Sequence, residues 1–223
     1  MTNSKTSIKI NAADLVSKII ETNSNVEVIT TNKAQISDLI KGYNLTINSK
    51  ELENNGNISS LNNINIISDI ITSNNIIANN NITITGNQIT NNDSIIAGGK
   101  VNITATDYLT NNNDILSLVS GASENSLIIN ALTLNNNKRI AANSILTINA
   151  NSLNNNTANS LIISGGNSNL NITNLDNNLG EIESKNNLKI RNLTSNNVDA
   201  ALLLSVSDTN TNISNSGTLK ATN

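Results

Sequence analysis

The sequence predicts an all-β protein whose chain winds into a β-solenoid of about ten coils, each of roughly 18–20 residues with three short strands. Three observations lead to this prediction. An aliphatic–polar–aliphatic tripeptide recurs along the chain at a nearly constant step. Asn, Gly, Ser and Asp residues separate the short apolar segments. The 223 residues include 52 Asn and 34 Ile but no Pro, and the β-branched Ile side chain favours a pleated, half-buried surface.

The tripeptide sets the length of the repeat. Counted along the chain, seven of the nine steps between the starts of successive tripeptides are 18 or 19, and the other two are 26 and 24. A regular step of this size is typical of solenoids, in which each coil buries its apolar side chains only against the next coil. The tripeptides begin at Ile8, Val26, Leu45, Ile64, Ile82, Val101, Leu127, Leu146, Leu170 and Leu188.

Each repeat has the same internal layout. A second aliphatic residue follows about seven residues after the tripeptide begins, an Asn pair comes soon after it, and a third aliphatic residue follows about thirteen residues after the start. These apolar segments are too short for helices, and their alternation has the period of two that is typical of strands. The separating residues tolerate left-handed backbone and form local hydrogen bonds at turns. The layout therefore predicts three strands joined by three corners.

The Asn pairs follow the repeat rather than one locus, which favours a structural role. Asn side chains at equivalent corners are expected to stack into amide ladders, as in other parallel stacked sheets. The alternative is that these side chains form a ligand-binding surface. The candidate ladder comprises Asn55, Asn75, Asn92, Asn112, Asn136, Asn155, Asn178 and Asn197.

The two long steps predict insertions at corners. The 26-residue step adds residues around positions 117–124, and the 24-residue step adds residues around positions 164–168. Protruding corner loops are where binding is often found in solenoids, whereas neutral variation of loop length is the alternative. The candidate contact residues are Ser120, Gly121, Ser123, Glu124, Gly165, Gly166 and Asn167.

The ends of the chain depart from the repeat. Leu15, Val16, Ile19 and Ile20 match one face of a helix, with Asn11 as a possible N-cap. Residues 12–21 are therefore predicted to form either a short capping helix or an irregular early coil. The predicted division of the chain is an irregular or capping segment over residues 1–25, β-helix repeats over 26–204, and a fading coil over 205–223.

The composition argues against several classes of function. Without His or Cys the chain has no zinc finger, cysteine nucleophile or Ser-His-Asp triad. The acidic residues do not recur at matching phase in adjacent coils, as a pair of catalytic carboxylates on this fold requires. An acidic pI near 4.9 with two Tyr as the only aromatic residues does not favour nucleic acid, and no apolar run is long enough to span a membrane. We therefore expect no catalytic residue, metal or cofactor.

Two segments carry a resemblance to a known family. Residues 45–58, LTINSKELENNGNI, and residues 146–155, LTINANSLNN, resemble the filamentous haemagglutinin repeat of exoproteins exported by bacterial two-partner secretion. That family includes adhesins and the stalks of contact-dependent growth-inhibition toxins. The resemblance covers roughly residues 45–198 and implies a right-handed parallel β-helix. The Gly-Gly of the family repeat is mostly replaced by Asn here, and the family's secretion domain, with its Asn-Pro motifs, cannot be present in a chain without Pro.

The resemblance implies a surface protein. Secretion through an outer-membrane transporter, display at the bacterial cell surface and a role in virulence follow from it as expectations, with this chain as a fragment lacking its signal peptide. The expected function is that of a non-enzymatic shaft segment, serving as a rigid spacer or as an adhesive rod that contacts a protein or glycan receptor on a host or neighbouring cell. The alternative is a carbohydrate-binding or polysaccharide-active β-helix.

Overall fold

A computed structural model of the chain describes residues 7–121, 125–191 and 212–221. These residues form an all-β solenoid of parallel strands in about ten turns, each termed a rung, and the predicted fold class is confirmed. The described residues contain no helix, so none is present that is long and apolar enough to cross a membrane.

The strands lie on three faces of the solenoid, numbered in the order in which the chain visits them within a rung. The longest strands, β5 and β6, each run through two corners and cover all three faces of a rung. The strands are β1 (Ile8–Ala12), β2 (Leu15–Glu21), β3 (Val26–Thr30), β4 (Lys33–Gly42), β5 (Leu45–Ser60), β6 (Ile64–Ala78), β7 (Ile82–Asn91), β8 (Ile95–Ala97), β9 (Val101–Asn111), β10 (Asp114–Ser117), β11 (Asn125–Asn136), β12 (Arg139–Ala142), β13 (Ile145–Asn154), β14 (Leu161–Ser164), β15 (Ser168–Asn177), β16 (Glu181–Ser184), β17 (Leu188–Arg191), β18 (Asn212–Asn215) and β19 (Thr218–Ala221).

Each strand pairs in parallel with the equivalent strand of the next rung. Neighbouring rungs are therefore separated by the usual inter-strand spacing of about 4.8 Å, and equivalent side chains lie directly above one another. On the first face the register runs through Ile8, Val26, Leu45, Ile64, Ile82, Val101, Leu127, Leu146, Ser168 and Leu188.

One predicted start is wrong by two residues. Ser168, not Leu170, pairs with Leu146, and Leu170 pairs with Ile148. The error arises because a shift of two residues leaves the alternation of a strand unchanged, so the aliphatic pattern fits both registers. Ser168 is fully buried in a column that otherwise holds aliphatic residues.

The core is a continuous stack of aliphatic side chains inside the three faces. Ile47, Ile84 and Ile148, for example, occupy the same inward position in three rungs and are fully buried. Burial of each such side chain stabilises the fold by roughly 1.5–3 kcal/mol. No single rung has a closed interior, so the stability of each rung depends on its neighbours.

The N-terminal segment is an irregular early coil of the solenoid, the second of the two predicted alternatives, and the capping helix over residues 12–21 is wrong. Strand β2 pairs in parallel with β4, with an irregularity between Ser17 and Ile19. Leu15 and Ile20 pack against the core. Val16 and Ile19 are 74% and 62% exposed. The irregularity changes which face the side chains occupy, so adjacent aliphatic residues mimic the pattern of a helix.

The C-terminal segment also continues the solenoid. Strands β18 and β19 pair in parallel with β15 and β16. Residues 212–221, which lie in the predicted fading coil, therefore form two regular strands of the last described rung.

Candidate functional site

A buried ladder of side-chain amides runs up the corner between the second and third faces. Each ladder residue stands two positions after the inward aliphatic residue of the second face, as Asn111 follows Leu109, and so points inward with it. The Asn members donate from Nδ2 to Oδ1 of the Asn in the next rung, at 2.7–2.9 Å from Asn91 onwards. The buried ladder positions are Asn54, Ser73, Asn91, Asn111, Asn136, Asn155 and Asn177, and the ladder ends at Asn215, which is exposed in the last described rung.

The second proton of each amide reaches the backbone of the next rung. Asn91, Asn111 and Asn136 donate to the carbonyls of Asp114, Arg139 and Leu161 at 3.2–3.3 Å. These carbonyls lie where the chain enters the third face. The ladder therefore satisfies polar groups at a buried corner and joins each rung to the next.

Ser73 interrupts the ladder. Its hydroxyl accepts from Asn54 at 3.0 Å but donates to the carbonyl of Asn74 at 3.1 Å. Asn91 Oδ1 is therefore buried without a hydrogen-bond donor. Among the described residues the only other buried side-chain atom in this condition is Thr30 Oγ1.

The predicted ladder residues occupy three kinds of position. Asn136 and Asn155 lie in the buried ladder. Asn92 and Asn112 belong to a separate, exposed ladder with Asn137, joined at 3.1 and 2.8 Å.

The remaining predicted positions are bonded differently. Asn55 and Asn178 donate to carboxylates of their own rungs, Glu53 and Asp176, and Asn75 contributes its backbone carbonyl to Asn54. Asn197 lies outside the described residues. In most corners the buried member of the Asn pair is the first one, because it shares the strand parity of the inward aliphatic residue.

The first predicted insertion lies where the sequence placed it. Strands β10 and β11 are in register with their neighbours on both sides, so the extra residues fall between Ser117 and Asn125. Ser120 and Gly121 are exposed, and Gly121 has a φ of 70°, a left-handed conformation that favours glycine. Ser123 and Glu124 lie outside the described residues.

The second insertion lies elsewhere, and its prediction at residues 164–168 is wrong. Gly165 and Gly166 donate backbone N–H groups to Ala142 and Ser144 of the preceding rung at 2.8 and 3.1 Å, so they form an ordinary stacked corner. Asn167 Oδ1 accepts from the backbone and side chain of Asn187 in the next rung. The extra residues fall at positions 156–160, where the pairings of Leu153 with Leu175 and of Leu161 with Arg139 leave the longer connection.

A groove with both polar and apolar lining lies beside the first insertion. It has a volume of about 610 Å³ and crosses several rungs of the first face. Thr83, Asn102, Asn125 and Asn169 contribute hydroxyl and amide groups, and Ile128 contributes an apolar patch. These groups can donate to and accept from a hydroxylated ligand, whereas they offer no acid–base pair.

Ion pairs join adjacent rungs. Arg139 donates from Nε and Nη2 to both oxygens of Asp114, at 3.1 and 2.6 Å. Lys33 lies 2.7 Å from Glu51 and 2.5 Å from Glu53. Hydrogen bonds to these two carboxylates raise the pKa of Lys33 to about 12.

Several carboxylates of the described residues form ion pairs with an adjacent rung. The hydrogen bond from Lys33, followed by that from Asn55, lowers the pKa of Glu53 below its ordinary value. Within the described ranges, no three acidic side chains gather into a group that could hold a metal ion. Arg139 and Asp114 are 25 positions apart in the chain, and they meet because each directly precedes the inward aliphatic residue of the third face, Ile140 or Ile115, in its own rung.

Comparison with family models, curated proteins and solved structures finds no significant match for this chain.

Proposed function

We propose that this chain is a non-enzymatic shaft segment of a secreted, surface-displayed bacterial exoprotein, serving as a rigid spacer or adhesive rod. The observation that carries the proposal is the parallel pairing that joins each described rung to the next, from the first to the last. Bending such a column requires neighbouring rungs to separate, and separation breaks backbone hydrogen bonds, the buried ladder and the ion pairs together. The resemblance to haemagglutinin repeats supports the secreted setting.

The spacer function is tested by measuring height above a membrane. The chain is placed between an outer-membrane anchor and a fluorescent domain, and energy transfer to a membrane dye is measured. The expected height gain is about 48 Å, from ten rungs at about 4.8 Å each. A Gly/Ser linker of the same residue number is the control and should give a broad distribution. A shaft indistinguishable from that linker contradicts the proposal.

The adhesive function is assigned to the first insertion. In a variant, residues 118–126 are replaced by the Gly-Gly-Lys corner found at residues 98–100. This corner occupies the same place one rung earlier, so the fold should survive. Beads coated with the variant should bind cells less than beads coated with the native chain. Equal binding with an intact circular dichroism spectrum removes the insertion from the proposal.

A carbohydrate-binding function is the second candidate, and the groove on the first face favours it. Amide and hydroxyl groups of Thr83, Asn102 and Asn169 line this groove, and such groups recognise sugar hydroxyls by hydrogen bonding. Glycan-array binding that is lost in Asn102→Leu would support this candidate over a simple spacer. Release of products from uronic-acid polymers would instead reveal a polysaccharide-active enzyme.

A further inference from the structure

The third face presents one outward column that is apolar in its middle and charged at both ends. Each rung contributes one residue to this column, which we term the third-face column. Strand pairing fixes its order from the first rung to the last. The column comprises Glu21, Lys41, Ser59, Ile77, Ile96, Leu116, Ala141, Ile163, Glu183 and Lys220.

The apolar side chains in the middle of the column face outward, and no described strand packs over them. Ile77 is 40% exposed, and Ile96, Leu116 and Ile163 are half-buried by their own neighbours in the stack. Every described strand belongs to a rung, and none lies over this face. A row of large aliphatic side chains on an outward sheet face is uncommon and marks an interaction surface.

At both charged ends of the column, the acidic residue comes one rung before the basic residue. At one end Glu21 precedes Lys41, and their side chains are 2.7 Å apart. At the other end Glu183 precedes Lys220, at 3.3 Å. Turning a second copy upside down therefore places an acidic residue opposite each basic one.

We propose that the third-face column is the interface of an antiparallel homodimer. The two-fold axis lies parallel to the strands, midway between the rungs of Ile96 and Leu116. In this arrangement Ile96 faces the partner's Leu116, and Ile77 faces the partner's Ala141. Lys41 faces the partner's Glu183, and Glu21 faces the partner's Lys220.

The charges select this arrangement over its neighbours. Moving the axis by half a rung places Lys41 opposite the partner's Lys220, or Glu21 opposite the partner's Glu183. A two-fold axis along the solenoid, placed over the column, sets each residue against its own copy, so that Lys41 faces the partner's Lys41 and Glu183 faces the partner's Glu183. Like charges and unpaired polar groups disfavour these alternatives.

The size of the face predicts a weak dimer. The column is ten rungs long at about 4.8 Å each, and the face is about 10 Å wide along the strands. The contact area is therefore roughly 500 Å² for each copy. The total of roughly 1,000 Å² is at the lower limit for specific interfaces. The dissociation constant is therefore expected to be on the order of micromolar or weaker. One consequence rests on the proposed function: antiparallel pairing joins shafts that point in opposite directions, as shafts on two facing cells do.

Sedimentation equilibrium of the purified chain, from low micromolar to several hundred micromolar, tests the dimer in solution. The native chain should show a monomer–dimer equilibrium. Leu116→Glu places a charge at the centre of the interface and should weaken association at least tenfold. Thr90→Glu is the matched control, because Thr90 points outward on the second face, and it should leave association unchanged. This solution test does not depend on the proposed shaft function.

Charge reversal tests the antiparallel register. Lys41→Glu and Glu183→Lys should each weaken self-association, because each places like charges together twice in the dimer. An equimolar mixture of the two variants should restore it, since the mixed dimer has opposite charges at both ends. Circular dichroism melts show that each variant is folded.

Three different results would contradict the proposed dimer or its antiparallel register. A native chain that remains monomeric at several hundred micromolar overturns the proposal. Association that persists in Leu116→Glu assigns it to end-to-end stacking, which also overturns the proposal. Failure of the mixture to recover association overturns the antiparallel register.

Discussion

Replacing Asn136 by alanine removes the middle of the buried ladder and should destabilise the whole solenoid. Asn136 Nδ2 donates to Asn155 Oδ1 at 2.8 Å and to the carbonyls of Lys138 and Leu161 at 3.2 and 3.3 Å. Its Oδ1 accepts from Asn111 Nδ2 at 2.9 Å. The residue is fully buried, so water cannot replace these bonds without opening the corner.

The magnitude follows from the groups left without partners. Asn155 Oδ1 and the Lys138 and Leu161 carbonyls each lose a donor, while Asn111 keeps its bond to the Arg139 carbonyl. An unsatisfied buried group costs about 1–3 kcal/mol, and some of these carbonyls retain other partners. We expect a total loss of about 4 kcal/mol in the free energy of unfolding. For a chain of this size that corresponds to a fall in melting temperature of about 8–16 °C.

Urea unfolding followed by circular dichroism measures this loss, with Asn137→Ala as the matched control. Asn137 is in the same corner but exposed, and its side-chain amide donates one hydrogen bond, to Asn112 Oδ1 at 2.8 Å. The control should change stability by less than about 0.5 kcal/mol. Asn136→Asp, which keeps the side-chain volume but loses the amide donors, should also destabilise strongly. Equal effects at positions 136 and 137 would refute the structural role of the ladder.

Three further substitutions test single sites by chemical unfolding. Ser73→Asn supplies a donor to Asn91 Oδ1 and should stabilise the chain by about 1 kcal/mol; no gain would mean that the corner is too short for the larger side chain. Thr30→Val removes a buried hydroxyl oxygen without a hydrogen-bond partner and should leave the free energy of unfolding unchanged or raise it by about 1 kcal/mol. A lower free energy of unfolding would mean that the Thr30 hydroxyl does form a hydrogen bond. Lys33→Met should lower the free energy of unfolding most at neutral pH. The pKa of Glu53 is lowered, so the stabilisation from the ionised carboxylate is lost as pH falls through that pKa. The pKa of Lys33 is raised from 10.5 to about 12, so the stabilisation from the charged amine is lost as pH rises through about 12. A stability difference independent of pH from acid to alkaline conditions would contradict the ion-pair interpretation.

The sequence predicts the fold because the repeat and its alternation are redundant. Leu45, Ile64 and Ile82 mark the same inward position at nearly equal steps along the chain, and strand parity then fixes which side chains are buried. Strand parity also identifies the buried ladder, because Asn54 points inward like Leu52, whereas Asn55 points outward. Counting in twos from the second aliphatic residue gives the ladder position in every described rung from Asn54 onwards.

The sequence could not fix features that depend on register between rungs. The pattern around Ser168 and Leu170 fits two alignments that differ by two residues, and only pairing with Leu146 decides between them. The third-face column likewise becomes apparent only when ten outward residues are aligned across the rungs.

The claim that equivalent positions stack in one column is tested most directly by distances between pairs of spin labels. The chain has no native Cys, so labels can be attached to Cys introduced at Thr46 together with Asn102, Thr147 or Asn169, which occupy one outward column of the first face. These partners lie three, five and six rungs from Thr46, which predicts narrow distributions near about 14, 24 and 29 Å. Distances that do not increase in proportion to the number of rungs would contradict the solenoid.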